Sequence, residues 1–290
     1  MKAIEQKAKL RSPKKLPHAD FELVARRLAD ELAFGSDTSM FVGSGLEYAQ
    51  SRPYEPGDSV RQLDWRLTAK TGKPFVKQYE TLRRISIYLI VDTSSSMSVS
   101  SIPFSKQDMA IWIASALGLA GQRRLSPVAV VGGGERETRL EPSLSQGDFW
   151  QSIEPLRSRA HGETTQMGSR LQSLEPRLQR SSILFAITDL HDPEIGTSLR
   201  HAAQKHDVVV LHLEDPAERN RTSAGFFRGI EAETGKMFLG GGLQRWRGEL
   251  PIVQELIGAG ISYLHLRSDL PFVPPLRHFL ASRAMLMKGN

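Results

Sequence analysis

The sequence predicts an α/β protein built on a doubly wound, mostly parallel sheet. Short runs of β-branched and apolar residues alternate along the chain with stretches that have helical periodicity. Two of these runs, residues 85–91 and 183–188, are almost entirely apolar, which is typical of strands buried on both faces. An aspartate follows each of the two runs, as expected where a central strand ends at a ligand site.

The chain before the first core strand is predicted to form an arm and a small lobe. Residues 1–17 are rich in lysine and contain two prolines, so we expect a flexible basic arm. Apolar residues at helical spacing predict a helix over residues 19–33. Residues 43–77 mix short β-like pieces with turn signals. We therefore predict an N-terminal α+β lobe over residues 18–84.

Charged residues of both signs alternate within residues 52–80 of this lobe. We expect Asp58 and Asp64 to accept hydrogen bonds from arginines and backbone amides, and so to hold the lobe on the main domain, because buried charges need partners. Trp65 is predicted to be an apolar anchor beside them. A docking surface for a partner is the alternative interpretation.

The rest of the chain is predicted to form one domain over residues 85–270, followed by a C-terminal helix over residues 271–290. Predicted helices cover residues 106–120, 146–156, 167–178, 195–205, 243–257 and 274–287, and predicted strands cover residues 127–131, 207–213 and 261–266. A β-hairpin is expected to turn at residues 233–236. The glycines at 132–134 indicate a tight turn, because no lysine follows as it would in a phosphate-binding loop.

Composition excludes several classes of protein. The 290 residues include no cysteine, which excludes a disulfide scaffold, thiol catalysis and a cysteine zinc site. The N-terminus has no apolar core of the length that a secretory signal needs, and residues 109–121 are too short for a membrane span. We therefore predict a cytoplasmic protein without a membrane span.

The net charge of +6 and the pI near 9.6 raise the alternative of a nucleic-acid-binding module. The basic residues are widely spread, however, and the densest cluster falls in the first 15 residues. Such a tail is more typical of a solvated arm than of a sequence reader. An acidic protein surface would be attracted equally well.

A pattern of oxygen donors follows the first core strand. Asp92, Ser94 and Ser96 lie at alternate positions in the sequence DTSSSM. Ligands of open α/β sheets collect outside the carboxyl ends of the strands, where these residues are expected. The simpler alternative is a serine-rich loop that caps the next helix.

Two further oxygen donors lie on other predicted loops of the same sheet edge. Thr165 precedes the helix predicted over residues 167–178, and Asp189 follows the strand predicted over residues 183–188. Magnesium prefers about six oxygen ligands at roughly 2.0–2.1 Å. With the residues after the first core strand, these two donors predict one divalent-metal site.

The metal-site pattern resembles the metal-ion-dependent adhesion site of von Willebrand factor A domains. Residues 52–80 narrow the resemblance, since their sequence is similar to the R-x-Y-x-P-G-D…R…D-W…A-[RK] signature of the bacterial family called domain of unknown function 58. That family carries a von Willebrand A-like domain and is associated with MoxR-type AAA+ ATPases. The resemblance covers residues 46–266 and implies a von Willebrand A, or Rossmann-like, fold for the main domain.

The resemblance also implies a set of metal ligands. Ser94, Ser96 and Thr165 would bind Mg²⁺, or alternatively Mn²⁺ or Ca²⁺, through their hydroxyls. Asp92 and Asp189 would act largely through water or through the serines. Thr164 is the alternative to Thr165, because Glu163 and Thr164 stand where the family often has two glycines; Thr165 is preferred since it keeps the register to the helix behind it.

The function implied is a non-enzymatic, metal-dependent protein-binding module. A glutamate or aspartate of a protein partner would complete the coordination of the ion. The resemblance implies a MoxR-type AAA+ ATPase as that partner, in chaperone-like maturation or assembly of another complex.

A metal-dependent hydrolase is the remaining alternative. Such an enzyme needs a base that activates water. The candidates are His161, four residues before Thr165, and His191 with Asp192, just after Asp189. We interpret both histidines as loop residues, and we expect no enzymatic activity.

Overall fold

The computed structural model describes residues 10–33, 47–59, 63–80, 85–133, 141–157, 166–178, 182–219, 227–230, 237–240 and 251–288. Its strands, in chain order, are β1 (Glu47–Pro53), β2 (Phe75–Glu80), β3 (Ile87–Val91), β4 (Val128–Gly132), β5 (Ile183–Thr188), β6 (Asp207–Glu214), β7 (Phe227–Ile230), β8 (Met237–Gly240) and β9 (Ser262–Arg267). Its helices are α1 (His18–Ala33), α2 (Trp65–Thr71), α3 (Ser95–Ser98), α4 (Lys106–Arg123), α5 (Gln146–Arg157), α6 (Met167–Leu174), α7 (Ile195–Ala202), α8 (Pro216–Arg219), α9 (Pro251–Gly258) and α10 (Val273–Lys288).

A parallel sheet of five strands forms the centre of the described part of the chain. The strand order is β4-β3-β5-β6-β9, and all neighbouring strands are parallel. Ile87 of β3 pairs with Val128 on one side and with Ile183 on the other. Every side chain of β3, β4 and β5 is buried, as their apolar sequences predict. The doubly wound α/β class is thereby confirmed.

Helices cover both faces of the sheet. Alternate residues of β3 point to opposite faces: Leu89 belongs to the core cluster that includes residues of α4, α5 and α10, and Ile90 to the one that includes residues of α6, α7 and α9. Helix α4 is buried along almost its whole length, because it lies between the sheet and α1. The two core clusters therefore stabilise the sheet from both sides.

Helix α1 packs against the main domain. Its buried face, which includes Phe21 and Leu28, belongs to the same core cluster as α4. Phe21 also contacts the rings of Trp112 and Trp150, with centroids 4.8 and 5.7 Å away. The sequence predicts that this helix belongs to the N-terminal lobe over residues 18–84, and that domain boundary stays a prediction.

The chain before α1 is bound to the domain by Arg157. Its guanidinium donates hydrogen bonds to the backbone oxygens of Pro13, at 2.7 Å, and Leu16, at 2.6 Å, and lies over the ring of Phe21. Composition alone predicts a flexible arm for residues 1–17. These bonds instead hold the backbone at Pro13 and Leu16, and residues 1–9 lie outside the described residues.

The lobe contains an antiparallel pair of strands, β1 and β2, with α2 between them in the sequence. Asp58 pairs with Arg52 at 2.6 Å, and Asp64 caps α2 by accepting from the backbone of Leu67 at 3.0 Å. These partners belong to the lobe itself. Trp65 is 67% exposed, so its predicted role as an apolar anchor is wrong.

Other differences concern the ends of elements. The α-helix predicted to reach residue 178 ends at Leu174, and Glu175–Arg177 form a 3-10 turn, since Pro176 has no backbone N–H to donate. The predicted hairpin is confirmed by the pairing of β7 with β8, although its turn lies outside the described residues. No described helix has both the length and the apolar character needed to span a bilayer.

Two glycine-to-alanine substitutions test the packing of this core. A Cβ at Gly118 of α4 would lie 2.3 Å from the ring of Phe149, whereas a Cβ at Gly258 of α9 would meet nothing within 4 Å. We expect Gly118→Ala to lower the free energy of unfolding by about 1–3 kcal/mol. Gly258→Ala, the matched control, should leave it unchanged or raise it by up to about 1 kcal/mol. Urea unfolding measures both, and equal values for the two variants would contradict the described packing of α4.

Candidate metal centre

The predicted site lies where the winding of the sheet reverses. From β3 the chain crosses to β4 on one side and then returns to β5 on the other side. Such a reversal leaves a crevice at the carboxyl ends of the two adjacent strands, where α/β proteins bind their ligands. Asp92 directly follows β3, and Asp189 directly follows β5. The topology therefore brings together two residues that are 97 positions apart in the sequence.

Three hydrogen bonds fix Asp92. Its backbone N–H donates to the oxygen of Ile187 at 2.9 Å. One carboxylate oxygen accepts from the backbone of Ser94 at 3.0 Å, and the other accepts from the hydroxyl of Thr188 at 2.8 Å. Asp92 is fully buried, and this burial together with the charge of Asp189 raises its pKa to about 7.

The hydroxyls of Ser94 and Ser96 face each other. Ser94 occupies the position before α3, but its side chain makes no capping hydrogen bond. Instead, its Oγ lies 2.9 Å from the Oγ of Ser96. Two oxygens in neighbouring positions of a magnesium octahedron are also about 2.9 Å apart, which is √2 times the metal–oxygen distance. The two hydroxyls thus form a hydrogen bond with each other instead of a helix cap, and their spacing is compatible with two neighbouring ligands of one ion.

The carboxylate of Asp189 is paired with Lys106. Both side chains are 1% exposed, and the ammonium lies 2.8 Å from Oδ2 of Asp189. Nδ1 of His191 lies 3.2 Å from the same oxygen. Burial by itself would raise the pKa of Asp189, but the charge of Lys106 and the contact with His191 outweigh it and hold the pKa well below its usual range. Asp189 therefore stays ionised at neutral pH, where Asp92, with its pKa near 7, is only partly ionised.

Lys106 was not among the residues predicted for the site. It is the first residue of α4, whose start is fixed by a capping box between Ser105 and Asp108. Lys106 also donates to Glu218 of α8, and so it joins α4 to the loops that follow β5 and β6. A lysine in the first turn of a helix is unfavourable for the helix dipole. That anomaly is the sequence signal that could have revealed its role.

Thr165 and its alternative Thr164 lie outside the described residues. The next residue, Gln166, is described, and its backbone N–H donates to the oxygen of Gly133 at 2.8 Å. The N–H of Gly133 in turn donates to the oxygen of Val91, the last residue of β3, at 2.7 Å. Gln166 is thus tied to the same edge of the sheet that carries Asp92.

The structure describes only one of the two histidines that were considered as catalytic bases. His161 lies outside the described residues, whereas His191 contacts Asp189. Asp192 is buried, and its carboxylate accepts from the backbones of Gly168 and Glu194 at 2.8 and 2.9 Å. These bonds join α6 to the loop after β5, so that Asp192 has a structural role there.

The donors described here fit a hard divalent cation. Their oxygens come from two hydroxyls and two carboxylates, and Ser96 is partly exposed, which gives access from solvent. Among the described residues, no group of three or more His, Asp or Glu side chains could hold a metal ion. A metal centre at this position therefore depends on the serine hydroxyls.

Comparison with known proteins identifies the family. The family model described as "Protein of unknown function DUF58" matches residues 50–245. The chain belongs to the DUF58 family. This DUF58 protein is 26% identical over 278 residues to Uncharacterized protein Mb1516 of Mycobacterium bovis and to Uncharacterized protein Rv1480 of Mycobacterium tuberculosis. The match covers 90% of this chain and 87% of each relative. No solved structure matches the chain significantly.

The pKa of Asp92 predicts how Asp92→Asn will affect stability without metal. The pKa of Asp92 is near 7 in the folded state and near 3.9 in the unfolded state. As the pH rises from about 4 to 7, the unfolded chain has lost this proton while the folded protein still holds it, so the free energy of unfolding falls. Ionised Asp92 therefore destabilises the metal-free wild type above pH 7. We expect Asp92→Asn to gain stability relative to wild type between pH 4 and 8, by about 2–4 kcal/mol.

Urea unfolding in chelator at several pH values measures this difference. The comparison with wild type cancels other titrating groups, such as His212, which burial and the charge of His265 shift to a pKa of about 3. A difference that does not change with pH would show that Asp92 titrates normally.

Proposed function

We propose that this protein is a non-enzymatic protein-binding module that depends on a divalent cation, with Mg²⁺ as the expected ion. Asp92, Ser94, Ser96, Thr165 and Asp189 would surround the ion, and a carboxylate of a partner protein would complete its coordination. The observation that carries the proposal is the 2.9 Å separation of the Ser94 and Ser96 hydroxyls beside two buried carboxylates.

The donor set supports a binding role. Neutral hydroxyls do not cancel the charge of an ion as carboxylates do, and the charge of Asp189 is already offset by Lys106. An ion held mainly by Ser94 and Ser96 would therefore retain much of its positive charge. Such an ion would act as a Lewis acid and bind an incoming carboxylate, which is the chemistry that we propose for this site.

Thr165 is assigned to the site because of its neighbour. Gln166 is anchored through Gly133 to the end of β3, and the residue before it in the chain has little distance to cover. A third hydroxyl in this place would agree with the resemblance to the metal-ion-dependent adhesion site of von Willebrand A domains. Thr164 remains the alternative ligand.

We further propose a MoxR-type AAA+ ATPase as the partner, and a chaperone-like role in the maturation or assembly of a protein complex. This part of the proposal depends on the resemblance of residues 52–80 to the signature of the family. The net charge of +6 would favour association with an acidic surface of such a partner.

Capture of the ATPase from the same organism tests the proposal. Immobilised wild-type protein should retain the purified ATPase in Mg²⁺ and lose it in chelator. Ser96→Ala should reduce capture in Mg²⁺ by at least about tenfold, because it removes a ligand of the ion. Ser98→Ala is the matched control in the same helix, since the hydroxyl of Ser98 donates to Gln107 instead. Undiminished capture in chelator, or by Ser96→Ala, would falsify the proposal.

A further inference from the structure

Lys106 is a fully buried cation in a site proposed to bind another cation. Its ammonium is shared between Asp189, at 2.8 Å, and Glu218. A buried ammonium is stable only with carboxylate partners of good geometry, so that these contacts account for its position. The same carboxylate of Asp189 is one of the groups assigned to the ion.

We propose that Lys106 is a built-in counter-charge to Asp189 that lowers the affinity of the site for divalent cations. This inference rests on the proposed function. Without Lys106, the ionised carboxylate of Asp189 would attract a divalent ion strongly, whereas the ammonium offsets its charge in advance. Lys106 thus competes with the ion for the carboxylate of Asp189.

Glu218 makes this competition reversible. Lys106 keeps one carboxylate partner even when Asp189 is engaged elsewhere, so that the ammonium is never left buried and unpaired. Glu218 is itself held in place, because its second carboxylate oxygen accepts from the backbone of Asp215 at 2.9 Å. Asp215 accepts from Ser100 and Ser101, in the loop after α3.

A weakened metal site has a consequence for binding. If the free protein holds the ion loosely, the carboxylate of a partner contributes a larger share of the coordination. Ion and partner then increase each other's affinity by the same factor, as linkage requires. Because of Lys106, the complex with the partner would retain the ion more strongly than the free protein does.

The test is the dissociation constant of Mn²⁺ alone, measured by calorimetry or by electron paramagnetic resonance on the whole chain. Lys106→Met should bind Mn²⁺ about tenfold or more tightly than wild type, since removal of one nearby unit charge has an effect of that order. Lys205→Met is the matched control, because Lys205 pairs with Glu175 at the opposite edge of the sheet, before β6. Its affinity for Mn²⁺ should equal that of wild type.

Glu218→Gln provides a second variant if Lys106→Met does not fold. Glu218 is partly exposed, and its loss leaves Lys106 with Asp189 as its carboxylate partner. Mn²⁺ should then bind more weakly than to wild type, by roughly threefold or more. Unchanged affinity in this variant would contradict the role given to Glu218 and Lys106.

The outcomes separate this inference from the proposed function. Mn²⁺ binding by wild type that is lost in Ser96→Ala, with Lys106→Met no tighter than wild type, would overturn the role of Lys106 alone. Failure of both folded wild type and folded Lys106→Met to bind Mn²⁺ would overturn the metal site itself. Binding by Lys106→Met that exceeds wild type would support both.

Discussion

The pairing of β3 with β5 is the constraint on which the candidate site depends. It continues one residue beyond β3, where the backbone of Asp92 donates to Ile187, and it is reinforced where the hydroxyl of Thr188 donates to the Asp92 carboxylate. Because both strands are buried on both faces, a shift of either by one residue would exchange the side chains that pack in the two core clusters and disrupt both. The register of the core thereby fixes the positions of Asp92 and Asp189.

Two buried carboxylates in a medium of low polarity must be neutralised, and the protein uses two different means. Asp92 has its pKa raised to about 7 by burial and by the charge of Asp189, so that a proton can neutralise it. Asp189 remains ionised and is neutralised by Lys106. In the account proposed here, a divalent ion beside Ser94 and Ser96 would be a third means, acting on both carboxylates together.

Local patterns in the sequence were sufficient to predict the sheet and the loop after β3. The apolar runs that became β3 and β5 are short and continuous, and the aspartates at their ends mark the edge at which they meet. The pairing of Lys106 with Asp189 could not be predicted in the same way, because it joins residues 83 positions apart through the packing of α4 on the sheet. The hydrogen bond from Thr188 to Asp92 could not be predicted for the same reason.

The errors have a common physical origin. Trp65 was expected to be an apolar anchor because it is large and apolar, but it lies exposed at the start of α2. Residues 1–17 were expected to be a flexible arm because they are polar and rich in lysine, but Arg157 binds the backbone oxygens of Pro13 and Leu16. In both cases composition describes the residue, whereas burial depends on contacts that are distant in sequence.

The most direct test of this account is the position of a bound ion in crystals grown with Mn²⁺. Anomalous scattering should show one peak at bonding distance, about 2.1 Å, from the hydroxyls of both Ser94 and Ser96, with the carboxylates of Asp92 and Asp189 beside it. A structure that shows no peak there, with the two hydroxyls still bonded to each other and Lys106 still paired with Asp189, would contradict it.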